Sequence, residues 1–164
     1  MSAQTAYRYS TPLGVPGGIV DLAPYAIDTL KNEEENGVMT FGIAVVSGTA
    51  KGVQIKKPVS GSTAADFEGV ATNNLTTEYD LDGKIRILKG APVGIMRYGR
   101  VYCRVADNVT PAYGDAVYFI KSGEQAGYVT NSSTGTVAIK ARFLGTVDES
   151  NRVAEVELFN QAQA

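Results

Sequence analysis

The 164-residue chain contains no histidine, no tryptophan and a single cysteine, Cys103. Each absence closes off chemistry. Without histidine, the commonest general base and the commonest metal ligand are missing, and no Ser-His or Cys-His pair can form. Zinc sites built from Cys and His go with them. One cysteine admits no intramolecular disulfide. Catalysis is left with carboxylates, Lys and Tyr. An excess of one charge is also lacking: 15 Lys and Arg stand against 17 Asp and Glu, a formal net charge of -2. Nucleic-acid binding needs a clustered basic surface, and only Lys56-Lys57 forms a basic doublet, at an expected strand end before Pro58. No apolar run approaches the roughly 18–20 residues that span a bilayer. The opening "MSAQTAYRYSTPLGVPGG" has no apolar core of a secretory signal. The expectation is a protein made in a reducing cytoplasm, with no cofactor, no metal, no nucleic-acid partner and no membrane partner.

Two textures divide the chain. Residues 1–37 carry Pro12, Pro16 and Pro24 with Gly14, Gly17 and Gly18, and show no sustained period of 3.6 or 2. They read as an extended, irregular N-terminal arm. The arm is not linker-like, because Tyr7, Tyr9, Leu13, Val15, Ile19, Val20, Leu22, Tyr25, Ile27 and Leu30 are spaced through it. Such a segment lies against something, either its own domain or another subunit. "IDTLKNEEENG" has the makings of a helical turn ended by Gly37, with Glu33, Glu34 and Glu35 in a solvated loop.

Residues 38–164 carry the punctuation of an all-β domain, a small β-barrel or sandwich of about eight to ten short strands. "VMTFGIAVVSG" and "GVQIKKPV" predict two strands. Thr63 with Asp66 fits a capping box, and Gly69 closes a single helical turn before the short strand "GVAT". In "APVGIMRYGRVYCRV" the apolar residues hold odd positions: Val93 and Ile95, then Val101, Cys103 and Val105, with a bend near Arg97 to Gly99. "GDAVYFI" is apolar on both faces and predicts a central strand. "GTVAIKARFLGTV" places Val137, Ile139, Ala141 and Phe143 in step, and "RVAEVELF" turns Ala154, Val156 and Leu158 inward.

Candidate chemistry is sparse. "EYDLDGKIRILK" resembles a calcium loop with Glu78, Asp80 and Asp82 at ligand positions, but Lys89 stands where a bidentate Glu is needed. A hairpin turned at Asp82-Gly83 is the better reading. Gly114-Asp115 fits a turn that bonds nearby amides. "GVPGG" lacks the Lys-Ser/Thr ending of a phosphate loop. Glu155 and Glu157 share the outer face of a strand and are expected to be solvated. No constellation is arranged to move protons, so the chain is expected not to be an enzyme.

The ordered stretches "TPLGVPGGIVDLAP", "MTFGIAVV", "DFEGVAT", "GAPVGIMRYGRVYCRV", "PAYGDAVYF" and "ARFLGTVDESNRVAEVEL" together resemble the structural cement, or capsid decoration, proteins of tailed bacteriophages. The resemblance implies a barrel-like homotrimer on the exterior of the virion capsid. It would reinforce joints in the lattice of the major capsid protein. On that reading the contacts fall to arm residues Tyr7, Tyr9, Leu13, Val15, Ile19 and Leu22, and the arm orders, or repacks, on the capsid. Alternatives from other classes are a tail or head-tail joining subunit, a carbohydrate-binding β-module using Tyr98, Tyr102 or Tyr113, and a hydrolase using carboxylates or Lys.

Cys103 shares an apolar strand face with Val101 and Val105, where a free thiol packs as a small hydrophobe and is inert. In the folded protein it is expected to resist thiol reagents and to react only on unfolding. Fast labelling of the native protein would refute the core assignment.

Overall fold

The computed structural model describes residues 13–73, 78–79, 83 and 85–159. Strands β1 (Ala26–Asn32), β2 (Ala44–Ser47), β3 (Gln54–Lys56) and β4 (Phe67–Ala71) are followed by a short hairpin, β5 (Glu78–Tyr79) and β6 (Ile85–Arg86). The long β7 (Pro92–Arg104) comes next, then β8 (Ala116–Ile120), β9 (Val129–Thr130), β10 (Thr136–Phe143) and β11 (Val153–Leu158). Apart from the hairpin they form one sheet, ordered β1-β3-β2-β4-β7-β11-β10-β8-β9. An additional antiparallel pairing of β1 with β7 closes the first five into a barrel.

β7 belongs to both halves. Its first part pairs with β1 and β4, and residues 99–104 pair with β11. The alternation of its apolar residues explains why it serves both. Val93 and Ile95 point into the barrel with Leu30, Phe41, Ile43, Val45 and Ile55. Val101, Cys103 and Val105 point into a second core with Val117, Phe143, Val156 and Leu158. The expected bend falls at Gly99, whose φ is 120°, and the strand passes through it unbroken. A side chain there would meet the Cβ of Tyr25 at 2.6 Å. Phe119 of β8 packs on Ala44 and Val46 of β2 and stacks on Phe67 with ring centroids 5.9 Å apart, joining the two halves.

Most predicted strands appear where the period of two placed them. Ala154, Val156 and Leu158 are fully buried. Thr63 and Asp66 form the capping box, around a 3₁₀ turn over Ala64–Asp66. Gly69, however, lies inside β4 rather than closing that turn. The strands on either side of the expected Asp-Gly turn are paired, with Glu78 opposite Arg86, and Gly83 is left-handed (φ 76°), while Asp80 and Asp82 lie outside the described residues. β8 is flanked by β10 and β9, but only Val117 and Phe119 are buried, and Tyr118 and Ile120 are half-exposed on its other face. The helical turn read into "IDTLKN" is instead β1, held as a strand by pairing along most of its length with β7.

Residues 13–25 rest against their own barrel. Tyr102 and the arm exchange backbone bonds: Gly17 N–H donates to the Tyr102 carbonyl at 2.8 Å and Tyr102 N–H to the Gly18 carbonyl at 2.9 Å. Val20 N–H reaches the Arg100 carbonyl at 3.1 Å, and Ile19 bridges Val101 in antiparallel sense. The contact depends on Gly17 and Gly42, both left-handed (φ 77° and 74°). A Cβ on Gly17 would lie 2.6 Å from the Asn73 amide nitrogen, and one on Gly42 would lie 2.8 Å from the Gly17 nitrogen. Gly17→Ala is therefore expected to lower stability by about 1–3 kcal/mol and to open residues 13–25 to protease. Gly52→Ala, also left-handed (φ 73°) but with nothing nearby, is the control for backbone strain alone. Equal thermal midpoints and cleavage for the two variants would show that the close approach does not hold the arm.

Candidate interaction surface

The arm is anchored through its backbone and leaves its apolar side chains outside. Leu13 donates its N–H to the Asp148 carboxylate at 2.9 Å, and the Gly14 carbonyl accepts from the Asn151 amide at 2.6 Å. Yet Leu13 (40%), Val15 (57%), Ile19 (41%) and Leu22 (94%) are all exposed. Sequence continuity brings these four to the free edge of the C-terminal half of β7. Tyr7 and Tyr9, the other expected contacts, lie outside the described residues.

Beside the arm runs a charged sheet face. Strand register sets Arg100 opposite Glu157 and Tyr102 opposite Glu155 between β7 and β11, and Arg142 opposite Glu157 between β10 and β11. Glu157 bridges the two arginines, accepting from Arg142 Nε at 2.6 Å and Arg100 Nε at 3.2 Å. Arg100 also reaches Asp21 of the arm at 2.7 Å, so the network ties the arm to the sheet. Burial alone would raise the Glu157 pKa, but the hydrogen bonds from Arg142 and then Arg100 prevail and hold it below the usual carboxylate range. The expectation of a solvated Glu157 is corrected here: alternation placed it on the outer face, but its neighbours on the flanking strands half-bury it. The Arg142 guanidinium lies 5.7 Å from the Tyr113 ring centroid and 5.8 Å from that of Phe159, and both rings are exposed.

The other candidates have structural roles. Cys103 is completely buried, and burial pushes its thiol pKa up. Asp115 accepts from the Ala112 amide and the Asn131 side chain, each at 2.9 Å, and these bonds keep its pKa low. A polar cleft of about 590 Å³ is lined by Asp107, Asn108, Thr110, Glu149 and Arg152. Arg152 is already engaged there by the Ala106 and Val109 carbonyls and by Glu149. Among the described residues, no three His, Cys, Asp or Glu side chains are grouped to hold a metal ion.

A two-part β-fold carrying a docked arm with outward apolar side chains defines a binding and scaffolding module. The family described as "Structural cement protein (E217 gp24/Pam3 gp6)" matches residues 3–159, and the chain belongs to it. Its role is that of a phage capsid cement protein, a structural component of the virion. A solved chain titled "The capsid of Myoviridae Phage XM1" shares the fold, with a TM-score of 0.73 at 20% identity, covering 99% of this chain and 100% of that one. No curated protein matches.

Glu157 makes stability depend on pH in a defined direction. Its folded pKa is depressed, so its contribution is present in full above the ordinary carboxylate range and is lost as pH falls through the depressed value. Glu157→Gln is expected to be less stable than wild type near pH 7 and to lose less of its stability between pH 7 and pH 3. Parallel acid limbs in urea titrations of the two proteins would contradict this.

Proposed function

We propose that the protein binds the outer surface of the assembled capsid lattice as a homotrimer. It would tie neighbouring major capsid protein subunits together without any catalytic step, after synthesis in the host cytoplasm. The supporting observation is the arm: its backbone is satisfied by its own barrel while Leu13, Val15, Ile19 and Leu22 remain uncovered. Each such side chain is worth about 1.5–3 kcal/mol when fully buried. Ordering backbone costs about 1–2 kcal/mol per residue, and residues 13–25 already have a defined path. Binding there keeps more of the gain from burial. Reinforcement calls for buried area repeated over many sites, and a trimer engages several of them at once.

Purified protein mixed with expanded capsids that lack it is expected to give saturable density on the shell. Leu22→Asp and Val15→Asp should weaken that binding about tenfold or more, which is the loss of one buried apolar anchor. Their thermal midpoints should barely change, because both sites are exposed. Absence of density at every lattice position would remove the proposal, and rings or tubes formed without capsids would point to a joining or tail subunit instead.

A further inference from the structure

β1 uses its two edges unequally. Its even-numbered residues face β7; Asn32 N–H donates towards that side, to the Ala91 carbonyl at 2.9 Å. The odd-numbered residues face away, with Lys31 N–H on the Val53 carbonyl and Glu33 N–H on the Ile55 carbonyl, both at 2.9 Å. β3 covers that outer edge only from Lys31 onward, where Lys31 pairs with Gln54. Before it, Ile27 and Thr29 turn their N–H and C=O groups outward, and among the described residues no strand pairs on that outer edge. Thr29 is exposed, and exposed Tyr25 precedes this edge next to the bulge between Ala26 and Ile27. An open edge with unpaired backbone groups is a template for an added strand.

We infer that this edge receives residues 5–9 of a second copy of the chain, which add a strand beside Ile27 and Thr29. In that segment Thr5, Tyr7 and Tyr9 alternate with Ala6 and Arg8. Thr and Tyr favour strands, and tyrosines pair well with aromatic neighbours across strands, here Tyr25.

Leu13 lies too far from this edge for the same chain's residues 5–9 to reach it. Followed backwards, the arm passes Val101 at Ile19 and Tyr102 at Gly17, and reaches Asp148 at Leu13. Asp148 bridges Val153, which lies opposite Arg104 at the C-terminal end of β7. Ile27 and Thr29 lie opposite Met96 and Gly94. From Tyr102 to Gly94 is about 26 Å of strand at roughly 3.3 Å per residue. The chain between Tyr9 and Leu13 spans at most about 14 Å. A neighbouring copy has no such constraint. Arms passed head to tail from each copy to the next make a heterologous contact, the kind that builds a ring when its rotation closes.

This deepens the trimer reading proposed above and is tested apart from capsid binding. Thr29→Cys and Tyr7→Cys chains, carrying different tags, are co-expressed as full-length proteins and mildly oxidised. The expected result is a cross-linked pair containing one chain of each kind, absent when either variant is expressed alone. A cross-link found only within single chains of the double variant, or none at all, overturns the inference. Removing residues 1–12 should release single chains in light scattering with the thermal midpoint retained, and an unchanged mass overturns it equally. Capsid binding without the cross-link would leave the proposed function standing and this inference refuted; the cross-link without capsid binding would do the reverse.

Discussion

Backbone pairing along the whole of β7 is the constraint on which the rest of the molecule depends. One strand supplies a wall to the barrel, through Val93 and Ile95, and a wall to the second core, through Met96, Val101 and Cys103, its inward phase changing between Met96 and Val101 around Gly99. Because a strand has two edges and two faces, β7 carries four kinds of neighbour at once. β1 and β4 flank its first half, β11 and the arm its second. Apolar packing fills the inner face and the arginine-glutamate network covers part of the outer one. Disturbing its register by one residue would exchange inner for outer side chains in both cores together.

The arm follows from this constraint. The edge of β7 opposite β11 would be left unpaired, and residues 17–20 satisfy much of it. The pairing needs close backbone approach, which Gly17 and Gly42 permit, and it leaves Ile19 exposed and Val20 half-exposed. This chain therefore has a segment whose path is fixed by backbone bonds while Leu13, Val15, Ile19 and Leu22 stay exposed.

Much of this was legible in the sequence because a period of two reports directly which face is buried. Val93, Ile95, Val101, Cys103, Ala154, Val156 and Leu158 were assigned inward on alternation alone, and all are buried. The capping box at Thr63 and the pairing of β5 with β6 were legible for a similar reason, since both are local. β1 was not. "AIDTLKN" has few β-branched or aromatic residues, and its strand state comes from a partner some 65 residues away in β7. The bridging role of Glu157 was hidden too, because alternation gives the face of a residue but not its neighbours across the sheet. The docking of Gly17 against Gly42 depends on two distant turns meeting. Glycines in a Pro-Gly run announce a turn and say nothing of what will press against it.

The burial of Cys103 has one more consequence. A virion leaves a reducing cell for oxygenated surroundings, and a cement protein is present in many copies on one shell. At such local concentrations accessible thiols would couple at random and oxidise further, freezing whatever contacts happened to exist at that moment. The lone thiol of this chain is enclosed between Val101 and Val105 and kept protonated. This chain's covalent state is thereby indifferent to the change of environment.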